Sequence, residues 1–281
     1  MLYLIVTTQD NKSSQFSRLI ESLNNQALAS KLKVIVVNQD SEIDTEDFQF
    51  LYKVINVEKC SLSKARNIGL SIISDEECVV GFPDDDCWFN DTVLSRALEL
   101  VSEQDFVCFG VYDDLRKLPY GNRPLNMKEI ITLSNALTLP VSVGIFIKKS
   151  KGEKILFDEM FSVGTRWACG EETDLILEMI SRGKRGIYYS YDSVYHEIEN
   201  IKFENTERAY KYGLGFGALI AKCVYKRGQK EPLKIYRKVK FRSVVAKKIF
   251  LFNREKRMMY CARLRGIKDG YEEGRAYYER N

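Results

Sequence analysis

Short apolar runs alternate with helical repeats along the first half of the chain. LYLIVT (2–7), VIVVN (34–38), VINV (54–57), CVVGF (78–82) and FVCFGV (106–111) are four to six residues long and bounded by polar or turn residues. Runs of that length predict buried strands. Between them, residues 13–24 place Phe16, Leu19, Ile20 and Leu23 on one helical face, and 62–73 and 92–101 read as further helices. The pattern weakens over 115–135, with Pro119, Gly121 and Pro124, which predicts a loop or lid. A strand follows over 141–147, then an irregular stretch over 157–170. Residues 171–182 form a helix with Leu175, Ile176, Met179 and Ile180 on its buried side, closed by Gly183, and 185–191 is a last strand.

After Asn200 the character changes. Long helical stretches interleave Tyr, Phe and Leu with Lys and Arg, broken near Gly228 and Pro232. Gly266, Gly270 and Gly274 recur every four residues, a spacing that permits close helix packing. The pattern predicts an α/β domain over 1–200, a mostly parallel sheet covered by helices on both faces, followed by a basic amphipathic helical region over 201–281. In such sheets ligands bind beyond the carboxyl ends of the strands. Thr7 and Thr8, Asn38 to Asp40, and Asp84 to Asp86 stand at those ends and should converge on one edge.

Composition narrows the class. With 281 residues, 45% of them hydrophobic, 17 Gly and only 5 Pro, the chain is neither collagen-like nor disordered. No apolar run reaches the roughly 18–20 residues of a membrane span. MLYLIV lacks a basic segment before it and a cleavage site after it, so it reads as a first strand and not a signal peptide. Seven Cys without a CxxC pair or a Cys/His cluster argue against a disulfide framework or a zinc site and fit a reducing cytoplasm. The net charge of +4 conceals an asymmetry: residues 201–281 hold 22 Lys/Arg against 8 Asp/Glu, and the first 200 hold 21 against 31. Basic amphipathic helices suit an anionic membrane surface, so a peripheral place on the inner face of the cell membrane is expected, with no nucleic acid as partner.

The chemistry concentrates in three places. In GFPDDDCWF three consecutive carboxylates past a buried strand repel one another unless neutralised, and Mn2+ or Mg2+ is the natural neutraliser. Asp84 and Asp86 can point the same way while Asp85 points elsewhere; acidic residues here could also cap the next helix. His196, the chain's one histidine, ends a strand in YHE and could complete a metal site begun by Asp86. Glu171, Glu172 and Asp174 open a helix, where carboxylates are ordinary dipole partners and also possible general bases. Lys64, Arg66 and Asn67 begin another helix, a place that can receive a phosphate.

TTQD, VVNQDS, LSKARNIGL, GFPDDDCWF, GEETDLIL and VYHE occur in an order that resembles bacterial family 2 glycosyltransferases of the GT-A fold, over roughly 2–200. The resemblance implies an inverting enzyme that takes a sugar from a nucleoside diphosphate. Asp84 to Asp86 match the metal-holding DxD segment, and Thr7, the Asn38/Asp40 region and Arg66 match positions lining the nucleotide. Glu171 and Glu172 match the acidic pair whose second member is the base, and His196 matches the histidine that closes the metal site. Glu172 stands where Asp is usual, which keeps Asp174 as an alternative, and Asn38 stands where the second strand usually ends in Asp. Arg166 and Trp167 are expected to face the acceptor. The expected donor is a UDP-sugar and the acceptor a lipid-linked saccharide of a surface polysaccharide. A sugar-phosphate nucleotidyltransferase would need a Gly-rich loop after the first strand, which TTQDNKSS does not supply. A non-catalytic nucleotide- or RNA-binding module leaves the acidic motifs and His196 without a shared purpose.

Overall fold

The computed structural model describes residues 1–198 and 206–280, and the expected boundary at 200/201 lies outside them. The chain divides into two compact units. The first comprises Met1–Thr132, Thr138–Phe157 and Arg182–Ile198; the second holds Leu133–Leu137, Asp158–Ser181 and the helices beyond residue 205.

The first unit is built on one mixed sheet. Its strands are β1 (Leu2–Thr8), β2 (Leu32–Asn38), β3 (Leu51–Asn56), β4 (Cys78–Gly81), β5 (Cys87–Trp88), β6 (Phe106–Asp113), β7 (Leu118–Pro119), β8 (Lys128–Ile130), β9 (Ile145–Lys149) and β10 (Gly186–His196). They lie in the order β3-β2-β1-β4-β9-β6-β10-β5, with β7 beside β6 and β8 beside β10. The expected parallel pairing holds for β1 with β2 and β4, β2 with β3, and β6 with β10. β9 departs from it: it enters antiparallel between β4 and β6. The stretch read as a loop over 115–135 contributes β7 and β8, too short to leave a periodic signal.

Helices cover both faces. α1 (Ser14–Asn24) is capped by Ser13, whose hydroxyl accepts from Phe16 N, and buries Phe16, Leu19, Ile20 and Leu23. With α3 (Val93–Glu103) it covers the face lined by Leu4, Val6, Val34 and Val36. On the other face α2 (Leu62–Ile72), capped by Ser61, lies close to the sheet at Gly69, where a Cβ would collide with Ile5 and touch Val37.

The second unit contains α4 (Glu171–Ser181), α5 (Thr206–Tyr225), α6 (Pro232–Ile249) and α7 (Arg254–Tyr278). Among the described residues no helix is long and apolar enough to cross a membrane. α5 and α7 run parallel through a ladder of glycines. Gly266 and Gly270 face the backbone of Tyr210 and Leu214, and Gly274 that of Ala218; Gly213 and Gly217 face the α7 backbone in return. A side chain at these positions would collide with backbone, so glycine is what lets the helices approach.

Candidate functional site

The pairing of β5 with β10 builds the centre of the site. It aligns Cys87 with His196 and Trp88 with Tyr195, so the acidic turn before β5 and the end of β10 lie side by side. A bridge between Thr7 and Asp84 places that turn beside the end of β1 as well. One ligand atom each from Asp84, Asp86 and His196 then falls within 4.8 Å of the others.

Each member is held from behind. Asp84 Oδ1 accepts from Arg66 Nη2 at 2.6 Å, and Arg66 is fully buried, its guanidinium 5.2 Å from the Phe157 ring centroid. His196 Nδ1 lies 2.6 Å from the Glu197 carbonyl. A carbonyl only accepts, so Nδ1 carries a proton, and Nε2 faces Asp86 Oδ1 3.1 Å away, donating to it when the ring is protonated. The Arg18 guanidinium lies over the Trp88 ring, 3.7 Å from its centroid, and donates to Glu197 at 2.6 Å, while Trp88 stacks on Tyr195. Asp113, buried at the end of β6, accepts from Ile198 N at 2.7 Å and from Arg116. Together Arg18 and Asp113 hold the two residues that follow His196.

Burial disfavours charge on each of these groups, and the outcome depends on the neighbours. Burial alone would lower the His196 imidazole, but the hydrogen bond and charge of Asp86 outweigh it and raise it to about 9. The same contact holds Asp86 below the usual carboxylate range despite its desolvation. Asp85 has no cation to compensate: burial first, then the charges of Asp86 and Asp84, raise it to about 6 against an opposing hydrogen bond with Thr8.

This donor set fits a divalent cation. Two carboxylates and an imidazole with a fixed tautomer suit Mn2+, and Mg2+ through the oxygens. Asp86 Oδ1 is buried with His196 Nε2 3.1 Å away, so both atoms could turn to one shared ion.

The other expected residues divide. Thr7 and Thr8 are buried at the end of β1, and Lys64 is exposed in the first turn of α2. The Asn38 side chain is engaged within the chain. It is fully buried, accepting from Asn11 Nδ2 at 3.1 Å and donating to Asn56 Oδ1 at 2.9 Å and to Ser41 O at 2.8 Å, so it ties the loops at the sheet edge together. Asp40 beside it is exposed. Asn67 is engaged with the Phe157 backbone through both its amide groups. The sequence reading missed Arg18, Asn11, Asn56, Glu197 and Asp113. Glu197 follows His196 directly and could have been noticed; Arg18 lies on the polar face of α1, where nothing in the pattern marks it.

In the second unit Glu171 is buried and Glu172 half-buried in the first turn of α4. Asp174 turns inward: it meets Lys222 at 2.6 Å and Arg227 at 2.8 Å, in a buried network that includes Asp158 and Glu178. Both of its carboxylate oxygens are thus engaged by cations. Trp167 is buried among Phe161, Tyr277 and Tyr278. Arg166 is exposed and paired with Glu273 through two nitrogens, at 2.8 and 2.9 Å.

Residues 4–164, more than half of the chain, match the family model described as glycosyl transferase family 2. The minor teichoic acid biosynthesis protein GgaA of Bacillus subtilis strain 168 is 28% identical over 128 aligned residues, covering 42% of this chain and 27% of that protein. The chain thus spans about a quarter of that relative's length. Among solved structures, TarS of S. aureus is similar in fold, with a TM-score of 0.55 at 15% identity, over 98% of this chain and 55% of that one. A shorter form of TarS, residues 1–349, matches in complex with UDP (TM-score 0.54, 17% identity) and with UDP-GlcNAc (TM-score 0.55, 16% identity), each over 99% of this chain and 91% of the other.

Proposed function

The chain belongs to glycosyl transferase family 2, and on that premise we propose that it moves a sugar from a UDP-sugar to an acceptor hydroxyl with inversion at the anomeric carbon. The observation that carries this reading is the meeting of Asp84, Asp86 and His196 at one end of the sheet, from parts of the chain far apart in sequence. The likeness to TarS complexes with UDP and UDP-GlcNAc supports the uridine nucleotide. The name of the Bacillus relative supports a teichoic acid or similar surface polysaccharide as product, with a lipid-linked saccharide as acceptor.

Asp84, Asp86 and His196 would hold Mn2+ or Mg2+, which when bound neutralises the diphosphate as it leaves. Arg66 acts beneath them: its buried guanidinium fixes the Asp84 carboxylate in one rotamer. Lys64 is free to swing toward the diphosphate and carry part of its charge. Thr8 and Asp85 orient the nucleoside. The acceptor hydroxyl loses its proton to Glu172 as its oxygen bonds to the anomeric carbon and the bond to the diphosphate breaks on the opposite face. One displacement without a covalent intermediate inverts that carbon. The reading includes work in the cytoplasm at the inner face of the membrane, held by the basic C-terminal region.

Thermal shift with UDP, GDP, dTDP and CMP, each with and without Mn2+, tests it. UDP with Mn2+ should raise the melting temperature of the wild-type protein and leave Asp86→Ala unchanged. The absence of a shift with every nucleotide, or a shift that survives EDTA and the Asp86→Ala substitution, would sink the metal-dependent donor site.

A further inference from the structure

The basic C-terminal region is not uniformly available to a surface. α5 and α7 spend their glycine faces on each other, whereas α6 turns only one side inward. Tyr236, Ser243, Ala246 and Phe250 recur at helical spacing on that inner side, with Tyr236 against Tyr271 and Phe250 stacked on Tyr260. The opposite side carries Phe241, Val244, Val245 and Ile249, and the turn into α7 adds Leu251 and Phe252; all are exposed, Phe241 and Ile249 by about 70% and Phe252 fully. The turn is well formed: Phe250 points inward and Asn253 caps α7 by accepting from Lys256 N. Its outward apolar side chains are therefore presented, not frayed.

Isolated exposed apolar residues are ordinary; six within twelve positions on one side of a helix and its turn are not. Around them, residues 232–257 hold ten Lys/Arg and one acidic residue, Glu255. A second copy of the same face would bring those like charges together, which disfavours self-association. Aliphatic side chains set among cations match a lipid surface: the apolar groups enter the acyl boundary while Lys and Arg meet anionic headgroups. We propose that the outer side of α6 with the α6–α7 turn, from Phe241 to Phe252, is the surface that seats this protein on an anionic bilayer. This rests on the peripheral-membrane part of the reading above and assigns it to one helix side in place of the whole basic region.

The test is sedimentation of the full chain with vesicles of phosphatidylcholine alone and with roughly a third phosphatidylglycerol, for wild type, Ile249→Ser/Phe252→Ser and Lys247→Gln/Lys248→Gln. Wild type should bind the anionic vesicles and not the neutral ones. The apolar pair should weaken binding about tenfold or more, and the lysine pair should weaken it and lessen its salt dependence. Phe252→Ser alone, at a fully exposed position, serves if the double variant melts early. Anionic binding unchanged in the apolar variants would overturn the assignment and leave a membrane reading resting on other basic residues. No vesicle binding, with the Mn2+-dependent UDP shift intact, would overturn both membrane statements and leave the transferase reading standing. A dimer in sedimentation velocity that Ile249→Ser/Phe252→Ser abolishes would assign the face to self-association instead.

Discussion

Glu172 and Asp174 stand two positions apart in the first turn of α4, and their surroundings differ. Asp174 sits between the buried cations Lys222 and Arg227, so removing its charge leaves Lys222 with Asp158 and Arg227 with Glu178, each short of one partner. Asp174→Asn should cost about 3 kcal/mol of stability, read as a lower urea midpoint. Glu172→Gln should leave the melting temperature within a degree or two of wild type, since a half-buried first-turn position tolerates the isostere. If Glu172 is the base, the same change lowers sugar transfer by roughly 10²–10⁴ while UDP binding persists; wild-type turnover in Glu172→Gln would remove it from the mechanism. At this scale the sequence showed which residues have the chemistry to matter. It could not separate two neighbouring carboxylates, because the difference lies in Lys222 and Arg227, some fifty positions on.

Elements decide how near these residues come to one another. The two-residue strand β5 is too short to be read from any pattern, yet its pairing with β10 is what joins Asp86 to His196. The glycine ladder between α5 and α7 is the opposite case: its four-residue spacing is plain in the chain, although the segment is densely charged. A Cβ on Gly270 would run into the Leu214 carbonyl, so Gly270→Val should destabilise the second unit by roughly 1–3 kcal/mol or more. Lys268→Ala, at an exposed position of the same helix, should stay within about 0.5 kcal/mol. Equal melting temperatures for the two variants would show that α5 and α7 do not approach as closely as the glycines allow.

For the whole molecule, acid should be the weak direction. Asp113 is buried, but hydrogen bonds from Arg116 and Ile198 hold its carboxyl down to about 2, and Lys222 outweighs burial to hold Asp158 below its usual value. Carboxyls depressed in the folded state stabilise it above their unfolded values, near 4, and that contribution is lost as pH falls toward 2. Urea midpoints should therefore fall between pH 4 and 2, with a shallower fall in Asp113→Asn; an identical slope in that variant would exclude Asp113 as a source. The sequence by itself determined the alternation of strands and helices, the convergence of polar strand ends on one edge, the acidic motif, the lone histidine and the separation of charge between the two parts of the chain. These are local in origin, since they follow from periodicity and residue type over a few positions. Only the tertiary structure decided that β9 runs antiparallel, that Asn38, Asp174 and Trp167 turn inward, that Arg18 and Asp113 brace the histidine, and which side of α6 remains uncovered. Each of those depends on partners distant in the chain, and burial and pairing across such distances leave no trace in a local pattern.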